Sequence, residues 1–115
     1  MVGSATSLGR NGIHDWLLQR VSAVVVAVYV MCVGSFVFLN PGMSFETWQQ
    51  FMGSTAMKVF SAVTLLFIVV HAWIGLWTVG TDYLKPTGLR LVYQVIVILS
   101  CLTLLVWGLV ILWGF

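Results

Sequence analysis

One histidine, His71, stands inside about 23 uncharged residues, from Val59 to Thr81, a run long enough to cross a bilayer as a helix. An ionisable side chain at membrane depth is costly in hydrocarbon and is read by default as functional, with a partner to be found. A neutral imidazole carries a nitrogen lone pair that suits iron, and haem iron is commonly held through an axial His. Helical periodicity gives His71 company: Thr64, Phe67, His71, Gly75, Thr78 and Asp82 are spaced by three or four residues and fall on one stripe. Gly75 removes a side chain where a flat macrocycle would need room or another helix would approach. The same stripe also fits a His that only hydrogen-bonds across a helix interface, so ligand and structural bridge both stay open on these residues.

Other candidates lie nearer the ends of the apolar runs. Asp82 and Tyr83 close the His71 segment, just before Lys85-Pro86 and Gly88 force a reversal. Tyr83 fits an interfacial belt aromatic, about 18 Å along the helix from His71 and within the span of one redox assembly, and Asp82 fits a solvated loop acid pairing with Lys85. Arg20 sits about one turn inside the first helix, where it either snorkels to lipid phosphates or pairs with an acid from a partner or cofactor. Asp15, next to His14, is expected to cap that helix. Cys32 and Cys101 lie in apolar runs with no CxxC or CxxCH pattern, which argues against a disulfide, a zinc site or a covalent haem.

The elements that position these residues follow from composition. With 61% hydrophobic and 7% charged residues among 115, and a mean hydropathy of +1.08, the chain is an all-α integral membrane protein. Spans of about 16–39, 58–81 and 90–113 form a single three-helix domain over 1–115, multi-pass, with the first helix retained because no signal-peptide pattern precedes it. Arg10, Arg20, Lys85 and Arg90 share one side if the helices alternate, with Lys58 alone on the other. The positive-inside rule then predicts a cytoplasmic N-terminus and a periplasmic C-terminus. Asn40-Pro41-Gly42 stops the first helix. After it, Ser44 is a candidate N-cap, and Phe45, Trp48, Phe51 and Met52 read as a short interfacial helix. So little chain outside the membrane cannot enclose a site, which points to assembly with other subunits. A proton-coupled transporter subunit would call for a carboxylate at membrane depth, whereas all three acids lie in loops or at helix ends.

Arg10-Asn11-Gly12-Ile13-His14-Asp15, taken with His71-Ala72-Trp73-Ile74-Gly75 and Asp82-Tyr83-Leu84-Lys85-Pro86, resembles the hydrophobic membrane-anchor subunits of bacterial succinate dehydrogenase. The resemblance covers nearly the whole chain, in length, spans and loops. It implies an inner-membrane anchor of complex II, with electrons passing from succinate to ubiquinone in respiration and the tricarboxylic acid cycle. It implies a b-type haem shared with a second three-helix cytochrome b subunit, with His71 as one axial ligand to the iron. It implies Tyr83 as a contact to ubiquinone, Asp82 as a proton relay beside it, and Arg20 and His14 near the haem propionates. A flavoprotein and an iron–sulfur subunit complete the expected partners, along with membrane lipids and without nucleic acid. The chain alone has neither a dinucleotide glycine fingerprint nor a cysteine cluster, so it carries no catalytic residue for succinate oxidation. A fumarate reductase anchor, running the reverse chemistry, shares the same architecture.

Overall fold

The computed structural model of the chain describes residues 12–115; Arg10, which enters the charge asymmetry, lies outside them. Four helices follow in order: α1 Gly12–Leu39, α2 Phe45–Gly53, α3 Thr55–Tyr83 and α4 Thr87–Trp113. The long helices α1, α3 and α4 are each apolar enough to cross a membrane, so the chain is an all-helical, multi-pass membrane protein. At about 1.5 Å per residue α3 rises roughly 44 Å, which carries both of its ends beyond a hydrocarbon layer of about 30 Å.

The helix α1 is already formed at Gly12, ahead of position 16. Asp15 therefore does not cap it but lies inside its first turn, where the carboxylate is buried near the positive end of the helix dipole. At the other end of α1, the Asn40 side chain donates to the Phe36 carbonyl at 2.8 Å. Gly42 then adopts φ 69°, the left-handed conformation that a side chain would strain. Ser44 caps α2, its Oγ accepting from the Thr47 N–H at 3.3 Å. Ser54 joins α2 to α3 by donating to the Phe51 carbonyl at 3.0 Å and accepting from the Met57 N–H at 3.3 Å.

The short helix α2 folds its apolar side onto the bundle. Phe51 stacks on Phe36 of α1 with ring centroids 3.8 Å apart, and Met52, Met57 and Leu112 form a buried core walled by Tyr29, Trp48, Phe60 and Phe115. Among the described residues, α3 is the helix against which both α1 and α4 pack most extensively. Glycines set the α3–α4 approach: a Cβ on Gly108 would run into Leu65, and one on Gly80 would fall on the Tyr93 ring. The Tyr93 hydroxyl donates to the Leu76 carbonyl at 2.7 Å and ties α4 to the last third of α3. Arg90 closes α3, its Nε donating to the Leu84 carbonyl at 2.9 Å and its Nη2 to the Thr81 carbonyl at 3.5 Å. A cation there meets the negative end of the helix.

Candidate functional site

His71 lies near the middle of α3, half-buried, and turns its ring toward α1. Two α1 residues one turn apart receive it. Ser22 Oγ lies 2.8 Å from His71 Nδ1, and Gln19 Nε2 donates to the His71 carbonyl at 3.3 Å. Gly75 is on the same face, where an added Cβ would sit 3.7 Å from Gln19 Nε2. The open position at Gly75 therefore faces α1. The threonines of the stripe satisfy themselves, Thr64 donating to the Phe60 carbonyl and Thr78 to the Ile74 carbonyl, each at 2.8 Å. His71 alone on the stripe reaches across to the neighbouring helix through its ring.

Counting protons gives the chemical state of that ring. Ser22 has one hydroxyl hydrogen, and Ser22 Oγ lies 2.9 Å from the Gln19 carbonyl, which can only accept. With that hydrogen directed to the carbonyl, the arrangement that satisfies both contacts has Ser22 Oγ accepting from His71 Nδ1–H. The result is a continuous chain from His71 Nδ1–H to Ser22 Oγ–H to Gln19 C=O, with every member satisfied. The tautomer protonated on Nδ1 leaves a lone pair on Nε2, the form an imidazole takes when it binds a metal. Among the described residues no group of three or more His, Cys, Asp or Glu gathers to hold a metal ion. Of the chain's two histidines, His71 is the one within the apolar run of α3, so this chain could offer iron at most one imidazole at that depth.

The remaining candidates lie apart from His71. Tyr83 ends α3, 76% exposed, with Asp82 exposed beside it, about 18 Å along the helix from His71. Arg20 is exposed on α1 next to Gln19, its guanidinium 5.4 Å from the Trp16 ring centre. His14 is exposed in the first turns of α1. The fold thus sets Arg20 at nearly the depth of His71 and leaves Asp82 and Tyr83 at the end of the helix. It brings none of these four against the His71 ring.

Sequence reasoning missed Ser22, Gln19 and Arg90 in these roles. Ser22 reads as one more small residue for helix contact, yet it is completely buried, and Gln19 and Ser22 form an i, i+3 polar pair at the head of an apolar helix. That pair was the available signal. Gln19 Oε1 and Trp73 Nε1 are both buried without a hydrogen-bond partner among the described residues. A buried polar atom left so costs about 1–3 kcal/mol.

Residues 3–110 match the family described as succinate dehydrogenase/fumarate reductase transmembrane subunit. A protein of Coxiella burnetii named succinate dehydrogenase hydrophobic membrane anchor subunit is 34% identical over 104 residues, covering 90% of each chain. Proteins of the same name from Rickettsia typhi and Rickettsia prowazekii are 32% and 31% identical. They align with 89% and 88% of this chain and with 82% and 81% of their own lengths.

Proposed function

The chain belongs to the succinate dehydrogenase/fumarate reductase transmembrane subunit family, and from that premise we propose how it serves as the hydrophobic membrane anchor of a succinate dehydrogenase. The family description covers both enzymes, and the relatives' names favour the direction from succinate to quinone. In this reading the chain sits in a bacterial inner membrane with its N-terminus in the cytoplasm. It pairs there with a second three-helix subunit, and a flavoprotein and an iron–sulfur subunit dock on the cytoplasmic face. The observation that carries the reading is the hydrogen-bonded ring of His71, whose Nε2 lone pair is left for iron. A b-type haem shared with the partner subunit would be held by His71 at its iron and by Arg20 and His14 at its propionates. When bound, the haem supplies a one-electron redox centre within the membrane.

Reducing ubiquinone to the quinol takes two electrons and two protons, and this chain contributes to the proton side. The Tyr83 hydroxyl donates a hydrogen bond to one quinone carbonyl, and the bond strengthens as negative charge develops on that oxygen. Asp82, exposed beside Tyr83, passes protons from water. Groups for the second carbonyl come from partner subunits.

Substituting His71→Ala in the assembled complex tests the reading. The low-spin b-type spectrum should be lost or converted, or haem occupancy should fall, while electron transfer from succinate to an artificial acceptor persists. An unchanged spectrum, with no substitute ligand in place, overturns the assignment.

A further inference from the structure

The α1–α3 seam contains a residue whose chemistry goes beyond packing. Ser22 is completely buried, and among the described residues its hydroxyl links the His71 ring to the backbone of α1. We infer that Ser22 is a positioning residue for the iron ligand: by accepting from Nδ1–H and passing its own hydrogen to the Gln19 carbonyl, it fixes the tautomer, rotation and basicity of His71. The inference rests on the reading of His71 as an axial ligand.

The physical argument has three steps. A ring held only through its Cβ rotates about χ2 in a broad, two-fold well, so the direction of Nε2 has to come from a second contact. Ser22 supplies that contact at 2.8 Å, and the turn of α1 beneath it is held to α3 by Gln19 donating to the His71 carbonyl at 3.3 Å. Ring and backbone of one residue are thus gripped by one turn of the neighbouring helix. Next, a metal-bound imidazole whose other N–H meets an acceptor is the more basic donor, and outer partners of this kind tune the metal as well as orient the ligand. Finally, the acceptor here is a neutral hydroxyl whose hydrogen ends on a neutral carbonyl. It therefore adds no charge to the membrane interior, where a carboxylate in the same role would be costly.

Four variants of the purified complex test the inference: Ser22→Ala, Ser22→Thr, Ser22→Cys and His71→Ala. The readouts are the haem-to-flavin ratio, the rate of haem transfer to excess apomyoglobin, the haem midpoint potential and the low-spin resonance g values. Ser22→Ala should weaken haem retention by about 10- to 100-fold and raise the midpoint potential, because the ferric iron loses a more basic ligand. Ser22→Thr keeps the hydroxyl and should stay near the original on both counts. A packing role predicts the opposite order, since Ala leaves almost no void and Thr adds a methyl to a fully buried position. If the Thr chain does not assemble, Ser22→Cys decides, its weak sulfur acceptor giving values between the original and Ala. Equal retention and potential in Ser22→Ala and the original protein overturn the inference. If His71→Ala changes the spectrum in that case, the ligand stands and only the role of Ser22 falls. If His71→Ala changes nothing, both fall together.

Discussion

The two ends of the bundle are built differently. At the end nearest α2, Met52, Met57 and Leu112 are buried among Tyr29, Trp48, Phe60 and Phe115, and Phe36 stacks on Phe51. Lys58, the cation of that end, lies 5.8 Å from the ring centre of Trp113. These contacts are made within one chain. From the middle of α3 toward Tyr83 the contacts turn polar and, among the described residues, stay incomplete: His71 is gripped on one ring nitrogen only, Gln19 Oε1 is orphaned, and Asp82 and Tyr83 are exposed. The α2 end is closed by apolar and aromatic contacts, whereas at the other end Tyr93 and Arg90 tie α4 to α3 by hydrogen bonds and Asp82 and Tyr83 stay exposed. Packing in lipid rests on close fit and not on the hydrophobic effect, so a small three-span chain keeps a tight aromatic and Met core at one end while it leaves polar groups open at the other.

The largest effect that can break this comparison is all-or-none. In the proposed assembly the soluble donors of electrons from succinate meet the open end, and the topology proposed from the charge placement puts that end in the cytoplasm. Reporter fusions after Lys85 should report cytoplasm, and fusions after Glu46 or at Phe115 the opposite compartment. Reversed signals would put the α2 core on the cytoplasmic side and separate Tyr83 from the electron-donating subunits.

Next in size is the loss of one hydroxyl at the open end. Tyr83→Phe keeps the ring and its interfacial position, so an anchoring aromatic would barely register the change. A hydrogen bond to the quinone that strengthens as charge develops is worth about 1.5–3 kcal/mol, or roughly 10- to 150-fold in rate. Succinate–ubiquinone reductase activity should fall by that factor, while transfer to an artificial acceptor at the soluble subunits persists. Equal activities in both assays, with haem and assembly intact, would make Tyr83 an anchor and move the quinone site to other residues.

The α2 end and the three spans were legible in the sequence because their signals are local. Uninterrupted apolar runs give the spans, Asn40-Pro41-Gly42 gives the turn, and Ser44 followed by Phe45, Trp48 and Phe51 gives a capped amphipathic helix. His71 stood out for the same reason, as one ionisable group in a long uncharged run. Its partners did not. Whether Ser22 meets His71 depends on the rotation of α1 against α3, and α1, apolar on every side beyond its first turns, offers only the Gln19–Ser22 pair to fix this rotation. Asp15 was misplaced because a short acid beside an aromatic looks like a cap, whereas the helix was already formed at Gly12. Arg90 read as a topology charge, because its reach back to the Thr81 and Leu84 carbonyls depends on how tightly the chain reverses at Pro86.

The smallest effect sharpens the comparison most finely, because the seam between α1 and α3 holds two hydroxyl bridges of similar length. Ser22 meets His71 at 2.8 Å, and about ten residues toward the α2 end Ser61 meets the Tyr29 hydroxyl at 2.7 Å. Both serines are buried, and both bridges tie the same pair of helices. If the two ends differ as described, the bridges should differ in what they control. Ser61→Ala should cost about 0.6 kcal/mol and at most about 1.7 kcal/mol of stability, the range for interhelical hydrogen bonds within a membrane. Thermal inactivation of the complex should register that loss, with haem content, midpoint potential and quinone reductase activity unchanged. A haem signature that moves in Ser61→Ala as it does in Ser22→Ala would show that the seam responds as one unit. The division of the molecule into a closed end and an open end would then fail at this point, because a change about 15 Å along α3 would reach the iron ligand through packing alone.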